Sequence, residues 1–244
     1  MKRERLDKVL ANMGKGTRKE VKQLIKQRLV TVDGKLATDP GMHVIPEQQV
    51  IEIDGKPLLF KRWIYVMLNK PDGVISATED SFHETVVDLL PEEWAHKVHP
   101  VGRLDIDTEG LLLLTNDGQL SHSLLSPKKK VDKEYYARID GRVTEEHVAA
   151  FSQGVTLDDE YVTLPAKLEI LESGDTSEIH VTIMEGKFHQ VKRMFAAFGL
   201  RVMYLKRLRM GSLLLDDSLE LGDYRELTEE ELLALRNGSD APDA

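Results

Sequence analysis

Leucines 111–114 stand in an unbroken row directly after a loop that carries two acids, Asp105 and Asp107. A short, solid apolar run bounded by turn residues fits a buried strand. Such a strand needs a real core around it. The chain is long enough to build one, with 244 residues of which 41% are hydrophobic. The loop reads HPVGRLDIDTEG, and the turn after the leucines is Asn116-Asp117-Gly118. Acids therefore stand at both mouths of the strand.

There are no cysteines, which removes disulfides, a thiolate nucleophile and Cys-ligated zinc. No apolar run reaches the roughly 18–20 residues of a membrane span, and the start MKRERLDK lacks a signal peptide's apolar region. We therefore expect a soluble, cytoplasmic protein with no membrane partner. The net charge of −9 argues against a nucleic-acid ligand until its distribution is read. Residues 1–35 hold eleven Lys/Arg against four Asp/Glu, and residues 186–209 hold seven Lys/Arg with no acid. Residues 216–244 hold ten acids against two basic residues. Two basic patches on an acidic chain favour a polyanion partner over two solvated faces.

Leu6, Val9, Leu10 and Met13 fall at helical spacing before Gly14-Lys15-Gly16 interrupts them. Thr17 followed by Glu20 is a capping-box start for a second helix. Val21, Leu24 and Ile25 form its apolar stripe, and Lys15, Arg18, Lys19, Lys22 and Lys26 lie off that stripe. Strands at 29–32 and 50–53 complete a small αα-β domain over residues 1–59. After a linker at 56–64, the patterning predicts strands at 65–68, 111–114, 134–139, 167–171, 178–184, 201–204 and 213–215. It predicts helices at 85–90, 144–153 and 189–198. Strands outnumber helices and mix with them irregularly, which argues for α+β, with a mainly antiparallel mixed sheet over residues 60–236. Residues 237–244 are expected to form a disordered tail.

Residues 5–35, RLDKVLANMGKGTRKEVKQLIKQRLVTVDGK, resemble an S4 RNA-binding domain. The resemblance implies RNA binding by the basic face of the second helix, through Lys15, Arg18, Lys19 and Lys22.

Several readings of Asp105 and Asp107 compete. Asp is common in turns because it bonds nearby backbone. A hard-cation site wants clustered oxygens, but EF-hand spacing is absent. An Asp-x-Asp phosphotransferase places its acids after the apolar strand, and here the order is reversed. A fourth reading is one catalytic carboxylate with the rest as scaffold, and it stands beside the structural one. In an extended segment Arg103 and Asp105 share a face, and a neighbouring guanidinium keeps a buried carboxylate ionised. Leu104 and Ile106 would then point into the core, and Asp107 and Thr108 would lock the turn.

GRLDIDTEGLLLLTNDG, residues 102–118, resembles the signature of the pseudouridine synthases that modify ribosomal RNA. The resemblance makes Asp105 the catalytic residue. It extends to MLNKPDGVISAT at 67–78 and to Lys133-Glu134-Tyr135, whose tyrosine would stack on the target base. It extends also to EGKFHQVKRMFAAFG at 185–199, where Lys192 would be the basic partner of the aspartate. His189 and Arg193 become candidate phosphate contacts. Arg103 becomes a candidate to fill the space left by a flipped base, or to pair with an acid. The wording VKRMF at 191–195 is closest to the small-subunit branch of the family. The implied activity is conversion of a uridine to pseudouridine in 16S rRNA, free or in an assembling 30S particle, by a monomer. The reaction needs no metal or other cofactor. Two other readings stand beside it: a 23S rRNA enzyme of the same branch, and a non-catalytic rRNA-binding assembly factor.

Overall fold

The structure, a computed structural model, describes residues 3–58 and 60–239. The chain divides into two compact units, Met1–Trp63 and Ile64–Ala244. No described helix is long and apolar enough to cross a membrane.

The first unit runs β1 (Glu4–Arg5), α1 (Leu6–Asn12), α2 (Arg18–Lys26), β2 (Val30–Val32), β3 (Lys35–Leu36), β4 (His43–Val44), β5 (Ile51–Ile53) and β6 (Lys56–Pro57). The capping box that starts α2 is formed. Thr17 N donates to Glu20 Oε2 at 2.7 Å, and Glu20 N donates to Thr17 Oγ1 at 3.3 Å. These bonds satisfy amides that a helix start leaves without partners. Leu6, Val9, Leu10, Val21, Ile25 and Val30 form one core. Lys15, Arg18, Lys19 and Lys22 stay exposed. Lys56 and Pro57, expected in a linker, instead add strand β6 to the edge of a sheet ordered β3-β2-β5-β6.

The second unit continues with β7 (Tyr65–Lys70), α3 (Glu92–Ala95), β8 (His99–Pro100), β9 (Glu109–Thr115), α4 (Gly118–Leu125), β10 (Lys133–Asp140) and α5 (Glu145–Gln153). Next come β11 (Lys167–Glu172), β12 (Thr176–Ile183), α6 (Gln190–Ala196), β13 (Arg201–Met210), β14 (Leu213–Leu214), β15 (Tyr224–Glu226) and α7 (Glu229–Ser239). The main sheet is ordered β11-β12-β10-β13-β9-β7-β15, with β8 on β9 and β14 on β13. Its pairings are antiparallel except β9 with β13, so the expected α+β class with a mixed, mainly antiparallel sheet describes this unit.

The four leucines explain the layering. All are at most 1% exposed. Leu112 and Leu114 join Val66 and Leu68 in one core, under Phe151 of α5 and Met194 and Phe195 of α6. Leu111 and Leu113 join Tyr65 and Met67 in another, with Leu120 and Leu124 of α4 and Leu235 of α7. The two-residue period of a strand sorts a uniform run onto both sheet faces. Each such leucine contributes about 1.5–3 kcal/mol of burial.

Two local expectations fail. Residues 85–90 form turns rather than a helix. The Asp88 carboxylate accepts from Thr85 N and Thr85 Oγ1, both at 2.8 Å, and Pro91 follows too soon for a helix to propagate. Asn237–Ser239, assigned to a tail, are the last residues of α7. The rest of that tail lies outside the described residues.

Candidate active site

The loop between β8 and β9 is held from below. Ser76 Oγ donates to Leu104 O at 2.9 Å and accepts from Leu104 N at 3.0 Å. Gly73 N donates to Ile106 O at 3.0 Å. Lys70, fully buried at the end of β7, donates to Pro71 O at 2.8 Å, Ile106 O at 3.1 Å and Thr108 O at 3.0 Å. Burial pushes the Lys70 amine down to about 8, against the pull of Asp72, Asp107, Glu109 and Asp105. Where the loop enters β9, Gly110 has φ +99° and its α-carbon faces the Arg207 backbone; a side chain here would collide with the Arg207 carbonyl.

This scaffold presents two carboxylates to one cation. Lys192 Nζ lies 3.1 Å from Asp105 Oδ2 and 2.5 Å from Asp107 Oδ1. Lys192 sits on α6, whose Val191, Met194 and Phe195 are buried. Packing of that apolar face fixes where the ammonium points. Burial works to lower the Lys192 pKa, but hydrogen bonds to Asp107 and Asp105 prevail and it is raised. Burial likewise works to raise Asp107, but the bond to Lys192 and its charge hold it below the usual carboxylate range. His189 Nε2 approaches Asp105 Oδ1 at 3.7 Å. Asp105 and Tyr135 line one pocket together with Arg103, His189 and Lys192. Leu104, Ile183, Val191 and Leu205 give the pocket an apolar wall. A flat ring, an apolar wall and a carboxylate at the mouth can hold a planar heterocycle with its sugar against the acid.

Most sequence-derived site residues of this unit meet here, with corrections. Arg103 lines the pocket but forms no ion pair with Asp105; the cation beside the acid is Lys192. Leu104 is buried as expected, but Ile106 is 40% exposed because the loop turns at 106–107 instead of remaining extended. Asp107 does not lock the turn and is the second carboxylate on Lys192. Arg193 is ion-paired within the unit. Its guanidinium reaches Asp158 at 2.6 Å and Asp159 at 2.7 Å, which ties the 157–161 turn to α6. The acid-free stretch 186–209 is largely neutralised by acids from elsewhere: Lys192, Arg193, Arg201 and Arg209 each reach a carboxylate. Sequence reasoning missed Lys70 and Ser76, which stand inside a quoted motif with nothing to mark them as loop anchors.

Comparison with known proteins places this arrangement. Residues 64–197 match the RNA pseudouridylate synthase profile, and residues 4–50 match the S4 domain. The chain belongs to the RNA pseudouridylate synthase family. It is 54% identical to an uncharacterized RNA pseudouridine synthase of Bacillus subtilis, over 93% of this chain and 96% of that one. It is 43% identical to ribosomal small subunit pseudouridine synthase A of Vibrio cholerae, over 95% and 99% of the two chains. The Escherichia coli protein of the same name is 42% identical with the same coverage. A crystal structure of a pseudouridylate synthase superposes with a TM-score of 0.68 at 39% identity, covering 95% of this chain and 99% of that one. The family's reaction is the one that the Asp105 loop suggests.

Proposed function

We propose that the chain converts a uridine of 16S rRNA to pseudouridine, with Asp105 as the reacting carboxylate. The observation that carries this is the Asp105 carboxylate, 3.1 Å from Lys192 and lining the same pocket as Tyr135. The reaction breaks the C1′–N1 bond, turns the uracil and joins C5 to C1′, and the C5 proton leaves. Three roles fit Asp105: addition to the base, attack on C1′, or removal of a sugar proton. Lys192 pairs with the carboxylate and aims it. Tyr135 stacks on the uracil, a contact worth about 1–3 kcal/mol. The uridine must leave its helix to reach this pocket, which costs a few kcal/mol.

Arg103 and His189, at the pocket, steady the flipped nucleotide. Lys15, in the bend before α2, and Arg18, Lys19 and Lys22, on its exposed face, bind phosphates, so residues 1–59 anchor the RNA and residues 60–236 carry out the chemistry. Support for the 16S target comes from the small-subunit enzymes that are 43% and 42% identical over nearly their full length. The enzyme acts in the cytoplasm as a monomer, on 16S rRNA or an assembling 30S particle.

The test is release of tritium from rRNA labelled at uridine C5. Release from 16S rRNA or an early 30S particle, at one mapped site, is expected. Release from 23S rRNA alone would move the target to the large subunit. No release from any of them would leave an RNA-binding assembly factor.

A further inference from the structure

The loop that delivers Lys192 also holds out an aromatic ring that the chemistry does not use. Phe188 is 75% exposed. It is not loose. One face of its ring stacks on His189, with centroids 3.7 Å apart and planes 20° apart. The backbone around it is tied on both sides. Lys187 N donates to Gln190 Oε1 at 2.9 Å, and Gln190 N donates to Lys187 O at 3.1 Å. Arg193 Nη1 donates to Phe188 O at 3.5 Å. The Lys187 ammonium sits 4.3 Å from the Tyr161 ring centroid, which anchors the loop sideways. His189 takes a left-handed φ of +50°, sparsely populated for a residue with a side chain. The fold thus fixes an apolar ring in water.

From this geometry we infer that Phe188, backed by His189, is a stacking platform for the base next to the flipped uridine. The inference rests on the reading that the pocket takes a flipped uridine. His189 links the two sites, with its Nε2 3.7 Å from Asp105 and its ring against Phe188. A base laid on the open face of Phe188 would continue a stack that starts beside the reacting carboxylate. Lys187 and Arg103 line the same pocket as His189, so cations stand at the pocket end of this stack, as in proteins that track a single strand. A ring braced on His189 and held by a tied loop needs little ordering on binding. Stacking is tolerant of base identity, so Phe188 would set the grip on the strand and the register of the target more than its sequence.

Phe188→Ala, Phe188→Tyr and wild type are compared in two assays. The first is affinity for single-stranded nonauridylate, which needs no turnover. The second is tritium release from an rRNA fragment around the mapped site, with abasic residues placed one at a time at the two positions on either side of the uridine. Loss of one stacked base predicts about 5- to 150-fold weaker binding for Phe188→Ala, with KM raised more than kcat is lowered, and near wild-type values for Phe188→Tyr. At one abasic position wild type and Phe188→Ala should converge, which names the partner base. Equal affinities of wild type and Phe188→Ala would overturn the platform. So would weaker binding by Phe188→Ala with no convergence at any position. If wild type releases no tritium from any rRNA but Phe188→Ala still binds nonauridylate more weakly, the proposed reaction fails, and with it the place of the platform beside a flipped uridine, while base stacking by Phe188 stands. Tritium release with Phe188→Ala indistinguishable from wild type has the reverse meaning.

Discussion

Strand β9 has an acidic turn at each end, and the two serve opposite purposes. Before the strand, Asp105 and Asp107 reach Lys192, which lies more than eighty residues further along the chain. After it, Asp117 accepts from the nearby amides of Gln119 and Leu120, at 3.1 and 3.2 Å, and so caps α4. Its other oxygen accepts from Tyr65 Oη at 2.7 Å, and Arg236 Nη2 donates to that same phenol oxygen at 2.6 Å. Tyr65 is pushed up to about 12, by burial first and then by the Asp117 hydrogen bond, so it stays a phenol donor. Asp117 is a closed, fully bonded structural acid. Asp105 has one oxygen on a lysine and an open pocket beside it. The contrast teaches that an acid's purpose follows from whether its partners leave an oxygen facing space.

The contrast breaks first at Asp105. Asp105→Asn keeps the shape and removes the charge, so tritium release should fall by at least about 10³-fold, while affinity for 16S rRNA stays within a few-fold. Near-normal turnover would remove the assignment. Lys192→Met should come next. It leaves two carboxylates facing each other without their lysine, and turnover should drop by roughly 10²-fold, with partial recovery in Lys192→Arg. A Lys192→Met enzyme as fast as wild type would mean that the ion pair is scaffold only.

Asp117→Ala should do the reverse. It removes a helix cap and a buried hydrogen bond, at a cost of about 1–3 kcal/mol. Thermal unfolding should report a Tm lower by roughly 2–10 °C, with turnover per folded molecule unchanged. Loss of turnover without loss of Tm would erase the distinction between the two ends of β9.

Much of this was legible in the sequence, and the limits have physical causes. The leucine run announced β9, and the Thr17–Glu20 box announced α2, because both signals are local. The resemblance marked Asp105, Tyr135 and Lys192, and the fold brings all three to one pocket. The purpose of Asp107 was misread because its partner lies on α6 and no local rule couples the two. The ion pairs of Arg193 were invisible for the same reason, since Asp158 and Asp159 come from another turn. Lys70 was invisible because burial of a lysine depends on which carbonyls the fold places around it.

Lys70 also makes a prediction with a definite sign. Its folded pKa of about 8 lies below its ordinary 10.5. Between those values the folded chain holds fewer protons than the unfolded one, so this group's contribution to stability rises with pH across that window. The Asp105 loop, though, is held by three N–H donors of the ammonium. Turnover should therefore decline several-fold with a midpoint near pH 8, while denaturant unfolding shows no matching loss of stability. Parallel loss of both would point to a group other than Lys70.

The finest test separates the two acids on Lys192. Asp107 is the closer, at 2.5 Å, yet its side chain is 59% exposed against 27% for Asp105. An exposed ion pair is worth little, about 0–1 kcal/mol, because water and salt screen it and two side chains must be ordered. Asp107→Asn should thus change turnover by less than about fivefold, since Lys192 keeps its contact with the less exposed acid. The loss should shrink further as salt is raised. A Lys192 held by Asp105 alone would still point into the pocket, because Val191, Met194 and Phe195 fix α6 from behind. A defect in Asp107→Asn as deep as that in Asp105→Asn would mean that the chemistry belongs to the pair, and the shorter contact, rather than the less exposed one, would mark the reacting group.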